Sequence, residues 1–257
     1  MGSEPSKFGE QALTADSING VSTPSEKYGA WVAGCTGASA RRVVNELVNS
    51  DACTKVVCLS RRAIMLDTPE NAQKTFPDIN FEKIQKVSVV ADVDYEDAEK
   101  LKTQLSDSAS GMDKMFGFCG LGTSPFTEKV DYEYAKAFAE AAAKTEKLKG
   151  LSVVSSGGAD SGSWIDYMKV IGMREDAFFK VSQENKIPLV IARPGPINRE
   201  ELAETRTKEK IMHAVGLKGI STTKIARTMV RGLEMEIDSG GSSTVWIAED
   251  DHMQKVE

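Results

Sequence analysis

The heptapeptide GCTGASA, Gly34 to Ala40, sets two glycines and an alanine at intervals of three, directly ahead of the helix-like ARRVVNEL. Glycines at a strand-to-helix turn let the backbone approach a pyrophosphate, whose charge is stabilised by unpaired N–H groups at the helix N-terminus. An ordinary tight turn is the plainer alternative. A second cluster, LSRR, ends in Arg61 and Arg62; paired guanidinium groups can hold a phosphate through charge-assisted, often bidentate hydrogen bonds. They would equally suit a solvated strand end. A third stretch, SWIDYMKVIG, puts Tyr167 and Ile171 one helical turn apart, on its own an amphipathic helix with an aromatic in its core face.

These residues need elements to position them. The short apolar runs AWVAG, KVVCLS, KVSVVAD, KMFGFCGLG, LSVVSSGG and IPLVIARPG alternate with the helix-like ARRVVNELVNS, YEDAEKLKTQL and DYEYAKAFAEAAAKTEKL. Such β-α-β-α alternation predicts a doubly wound, parallel Rossmann-type sheet with helices on both faces. Past Pro196 the pattern loosens, then STTKIARTMVRGLEMEI reads as a helix capped by Ser221 or Thr222 and STVWIAE as a last strand. In this fold the first βα turn binds a dinucleotide, and an acidic residue after the second strand would hold the ribose of NAD. Arg61 and Arg62 stand there instead, which favours NADP(H) over NAD(H). Asp92 and Val93 close the third strand as an adenine contact, unless Asp94 takes that register.

Taken in order, GCTGASA, LSRR, FCGLGTS, VVSSGGADS, DYMKVIG and IARPGPI resemble the motifs of atypical short-chain dehydrogenase/reductases, closest to the branch that contains the HIV Tat-interacting protein. The resemblance runs from about Ala30 to Glu249. It implies that Gly34, Thr36, Gly37, Ala38 and Ser39 wrap the cofactor pyrophosphate and that Arg61 and Arg62 hold the 2′-phosphate. Cys119, Gly120 and Leu121 would line the cofactor, with Pro194, Gly195 and Ile197 flanking its nicotinamide end. Ser155 or Ser156 falls at the catalytic serine, and Tyr167 at the catalytic tyrosine.

The family pairs that tyrosine with a lysine one turn later, whose ammonium lowers the phenol pKa and binds the cofactor ribose. Here the position is Ile171, which can neither donate a hydrogen bond nor favour a phenolate whose ordinary pKa is near 10. Lys169 points about 200° around the helix from Tyr167, and Arg174 could reach back only from an irregular helix start. The third motif glycine is Ala40, a mild change.

Composition excludes several classes. Among 257 residues, 38 acidic side chains outnumber 32 basic ones for a net charge of -6, with no long Lys/Arg block, so no nucleic-acid footprint is visible. Cys35, Cys53, Cys58 and Cys119 lack metal spacing, and His213 and His252 are too few and scattered for a zinc site or a Ser-His-Asp triad. The thiols read as reduced and mostly buried. The acidic pairs Glu96-Asp97, Glu200-Glu201 and Asp250-Asp251 read as solvated charges, and Trp164 and Trp246 as core or interface aromatics. No apolar run approaches a membrane span and no signal-peptide core is present. MGSEPSK fits the pattern for myristoylation of Gly2.

The expected organisation is a polar tail over residues 1–27, lying against the body or a partner, and one NAD(P)-binding domain over 28–257. The location is cytoplasmic by default, or a mature organellar protein. The expected function is an NADP(H)-binding protein of short-chain dehydrogenase type, catalytically impaired, with a structural or regulatory role that extends to membership of a larger assembly. The alternatives are an active NADPH-dependent carbonyl reductase using Tyr167 with Ser155 or Ser156, and a cofactor-free interaction module in which acidic side chains engage Arg61 and Arg62.

Overall fold

A computed structural model describes residues 7–198, 219–237 and 243–257. Runs of Val, Ile, Ala and Phe bounded by turns form β2 (Tyr28–Ala33), β3 (Cys53–Leu59), β4 (Val87–Val90), β5 (Met115–Cys119), β6 (Leu148–Val154), β7 (Leu189–Arg193) and β10 (Val245–Glu249). With β1 (Gln11–Ala12) they make an eight-stranded sheet in the order β1-β10-β7-β6-β5-β2-β3-β4. Every pairing is parallel. The chain runs outward from β2 to β4 along one half and from β5 to β10 along the other. A crevice therefore opens beyond the carboxyl ends of β2 and β5, the switch point at which α/β sheets bind ligands.

Both faces of the sheet are covered. On one side Val43, Val44 and Leu47 of α2 (Ala38–Asn49) and Ile225, Met229 and Leu233 of α7 (Thr222–Glu234) join one core cluster. On the other, Leu101 and Leu105 of α4 (Ala98–Ser108), Phe138 of α5 (Ala135–Ala143) and Phe178 of α6 (Asp166–Asn185) join a second. The doubly wound architecture expected from the sequence is the one observed. Ser221 caps α7, accepting from the Lys224 amide at 3.3 Å. Asp97 caps α4, accepting from the Lys100 amide at 2.9 Å, so that helix starts three residues later than the segment's first residue, Tyr95.

Residues 7–27 lie against the body. Leu13 and Ile18 are fully buried in the first cluster, α1 (Ala15–Asn19) is capped by Thr14, and β1 extends the sheet beside β10. Ile197–Asn198 (β8) and Ile220–Ser221 (β9) form a small parallel pair of their own. The acylation pattern at Gly2, the Glu200-Glu201 pair and His213 lie outside the described residues. All four cysteines are free and buried, and no described helix is long and apolar enough to cross a membrane.

Candidate functional site

The glycine turn follows β2 into α2. Gly34 has φ +74°, and a Cβ built there would lie 2.8 Å from the Leu121 nitrogen and 2.9 Å from the Gly120 carbonyl. No side chain but hydrogen fits both the conformation and the space. The Gly37 amide donates to the Gly34 carbonyl at 2.8 Å, closing the turn. Gly37 is also the N-cap of α2 and supplies no side-chain cap, so the first-turn N–H groups, with Thr36 exposed and Ala38 half-buried beside them, can serve an anion. Ser39 is buried. Ala40 packs where position 120 is glycine, which accommodates its methyl group.

Arg61 and Arg62 are exposed just past β3, and neither forms an ion pair with a carboxylate among the described residues. The strand expected to close on Asp92 and Val93 is β4, which ends at Val90, so both residues lie beyond it. Asp92 adopts φ +54°, and this turn ends the extended run early. Val93 is nonetheless brought beside the arginines, since its amide donates to the Ser60 carbonyl at 3.1 Å. Asp94 accepts locally from the Glu96 amide at 3.0 Å.

At the end of β5, Cys119 is fully buried and burial pushes its thiol pKa up, which leaves it a packing residue. The Gly120 amide donates to the Ala33 carbonyl at 3.0 Å, carrying Gly120 and Leu121 across the face of the glycine turn. The following loop is shaped by buried Asp131, which accepts from the Thr123 hydroxyl at 2.8 Å and the Thr127 amide at 3.0 Å. Asp131 sits in a π-helical stretch, Lys129–Tyr134, where the sequence reads as unbroken α-helix.

The serines part company. Ser155 is buried and its hydroxyl donates to Glu175, whose carboxylate is gripped by Arg193 at 2.9 and 2.7 Å. Among the described residues, the hydroxyl of half-buried Ser156 meets only the Gly157 carbonyl, at 3.4 Å. Tyr167 is half-buried at the start of α6, its ring edge-on to Phe126 with centroids 5.5 Å apart. Its hydroxyl has no hydrogen-bond partner among the described residues. Ile171 is 1% exposed and Lys169 is exposed. Arg174 does not reach Tyr167: it donates to the Leu121 carbonyl at 2.9 Å and to the Val154 carbonyl.

The serine loop lies directly on α6, because a Cβ at Gly172 would fall 2.1 Å from the Ser161 nitrogen. Pro194 joins it, its carbonyl accepting from the Gly157 amide at 2.9 Å. The Gly195 amide donates to Asp250 at 2.9 Å, so Asp250 is a loop anchor rather than a solvated charge, whereas Ile197 belongs to the β8–β9 pair. Glu96 pairs with Lys129. Trp246 donates to Glu236 at 2.7 Å; Trp164, 90% exposed, is no core residue. Sequence reasoning missed Glu175, Arg193 and Asp131. A charge at the end of the apolar strand IPLVIAR, and an acid eight residues beyond Tyr167 on its helix, were the available signals.

No family model and no curated protein matches the chain. Solved structures do. A short-chain dehydrogenase/reductase of Serratia marcescens superposes with a TM-score of 0.61 at 13% identity, over 90% of this chain and 99% of that one. The fold is that of the short-chain dehydrogenase/reductases. A Burkholderia cenocepacia dehydrogenase with bound NADP gives 0.62 at 12% identity over 89% of this chain and 94% of its own. Carveol dehydrogenase of Mycobacterium avium in complex with NAD gives 0.59 at 12% identity over 89% and 98%.

Proposed function

We propose that the chain is an NADP(H)-binding protein of short-chain dehydrogenase type whose proton-transfer pair is broken, and that it acts as a structural or regulatory component rather than as a fast catalyst. Dinucleotide binding is supported by the crowded Gly34 turn, the uncapped α2 N-terminus and the cofactors named for the two dehydrogenases of like fold. Gly34, Gly37 and Ala38 would cradle the pyrophosphate, and Gly120 and Leu121 would line the cofactor beyond it. Arg61 and Arg62, free of carboxylate partners among the described residues, support a 2′-phosphate and hence NADP(H). The order of FCGLGTS and SSGGADS supports the atypical branch of the family.

One observation carries the impaired reading: a buried isoleucine, Ile171, occupies the helix position from which a cation would tune Tyr167. A bound nicotinamide dinucleotide supplies a hydride to a carbonyl carbon, and the protein must then give the carbonyl oxygen a proton. Tyr167 would donate it without a neighbouring charge to stabilise the phenolate left behind. Ser155 offers little help because its hydrogen is already committed to Glu175. A component role suits the large apolar side chains left exposed at Trp164, Ile165 and Phe126.

The test is calorimetric titration of cofactor-stripped protein with NADPH and NADH, followed by a carbonyl-substrate panel. NADPH binding with little or no turnover is expected. Brisk turnover abolished by Tyr167→Phe would favour the second reading, an active reductase using Tyr167 and Ser156, to which the unpartnered Tyr167 hydroxyl lends support. Binding of neither nucleotide would leave the cofactor-free interaction module.

A further inference from the structure

Arg174 is a buried cation without an anionic partner among the described residues. The residue is 3% exposed, two of its nitrogens donate to the neutral carbonyls of Leu121 and Val154, and its Nε has no partner. No carboxylate forms an ion pair with it among the described residues. Its neighbour Glu175 is held by Arg193, and the Asp131 carboxylate is occupied by Thr123 and Thr127. A buried charge is costly unless a counter-charge meets it, and carbonyl dipoles offset only part of that cost.

Its position says where the counter-charge belongs. The Leu121 nitrogen lies against Gly34 of the glycine turn, and Val154 immediately precedes the serine loop. Arg174 thus bridges the ends of β5 and β6, between the phosphate-binding turn and Ser155-Ser156. It also lies one turn beyond Ile171 on the same face of α6.

We propose that Arg174 is a binding group for the diphosphate-nicotinamide half of the dinucleotide, supplying from the next turn the positive charge that Ile171 does not. The inference rests on the dinucleotide reading above. The guanidinium need not leave its carbonyls, because an unscreened charge in a low-dielectric interior is felt across several ångströms.

The experiment compares wild type with Arg174→Gln and Arg174→Lys by calorimetry, using NADPH and, as a probe lacking the diphosphate-nicotinamide half, 2′-AMP. Arg174→Gln should weaken NADPH binding by about tenfold or more while leaving 2′-AMP unchanged; Arg174→Lys, which keeps the charge, should hold NADPH within about threefold. Equal weakening of both ligands, or of neither, would overturn the proposal while leaving the cofactor reading intact. If the Gln variant does not fold, the Lys variant decides: retained NADPH affinity supports the charge and its loss refutes it. A wild-type protein that binds neither probe refutes the cofactor reading and this proposal with it.

Discussion

Arg193 holds both carboxylate oxygens of Glu175, Nε at 2.9 Å and an Nη at 2.7 Å, and the same carboxylate takes the hydroxyl hydrogen of Ser155. The pair joins α6 to β7, and a further bond at 3.1 Å from Arg193 to Glu249 extends it to β10. Because Glu175 is 1% exposed, removing its charge leaves Arg193 to rely on the half-exposed Glu249 carboxylate for its counter-charge. Glu175→Gln should lower stability by about 2–4 kcal/mol, less than a fully uncompensated charge would cost. Ser155→Ala, which removes one hydrogen-bond donor, should lower it by about 1–3 kcal/mol. Urea denaturation of both variants checks the ranking; a Gln variant as stable as wild type would remove the pair from the fold's supports.

Replacing Ile171 by lysine tests whether one missing charge explains slow chemistry. The site is 1% exposed, so the new ammonium is desolvated and the variant should lose several kcal/mol of stability, about 2–4. Where it folds, its NADPH oxidation with aldehydes and ketones should exceed wild type by about tenfold or more. Steady-state rates and melting curves measured on the same preparation check this; equal rates in a well-folded variant would show that Ile171 is not the limiting feature.

The arginine pair makes a separable claim about cofactor choice. Replacing both Arg61 and Arg62 by alanine should weaken NADPH by about 10- to 100-fold and leave NADH within about threefold, because only the 2′-phosphate is lost as a partner. Both side chains are exposed, so stability should be unchanged. Parallel titrations with the two nucleotides provide the check. Equal weakening of both would move the arginines from discrimination to general attraction.

Burial also sets how the protein responds to alkali and to thiol reagents. The Cys53 thiol is pushed from 9.0 up to about 12, chiefly by desolvation, and burial raises Cys119 as well. A raised folded-state pKa means that the native protein keeps a proton that the unfolded chain loses. The associated stability is therefore fully present below pH 9.0 and is lost as pH rises through about 12. Urea melts at about pH 8 and about pH 11 should show the decline. Native protein near pH 8 should react with alkylating reagents far more slowly than urea-unfolded protein.

The sheet and its helices were legible because period and composition report burial directly: β2 is apolar throughout and every residue of it is buried. Gly34 was legible for a similar reason, since a strand, a spaced pair of glycines and a helix leave few other arrangements. The Ser155–Glu175–Arg193 cluster was not. Its members lie 18 and 20 residues apart in pairs, and only the packing of α6 across β6 and β7 brings them together. Ser155 and Ser156 are adjacent in sequence, yet local backbone direction sends one hydroxyl inward to a carboxylate and leaves the other near the surface. The packing of residues 7–27 was hidden because a few scattered residues, Phe8, Leu13, Ala15, Ile18 and Pro24, carry its burial within an otherwise polar composition.

The pairing of Gln11–Ala12 with β10 is small, yet it closes one flank of the sheet, and Asn19 exchanges hydrogen bonds with Lys255 and Glu257. The opening and closing stretches of the described chain thus act as a clasp on each other. A variant trimmed to begin after Gly20 would leave Trp246 and Ile247 on a bare rim with unpaired amides and carbonyls, a template for another molecule's strand. Such a trimmed protein would meet its neighbours edge to edge, and self-association or precipitation would follow.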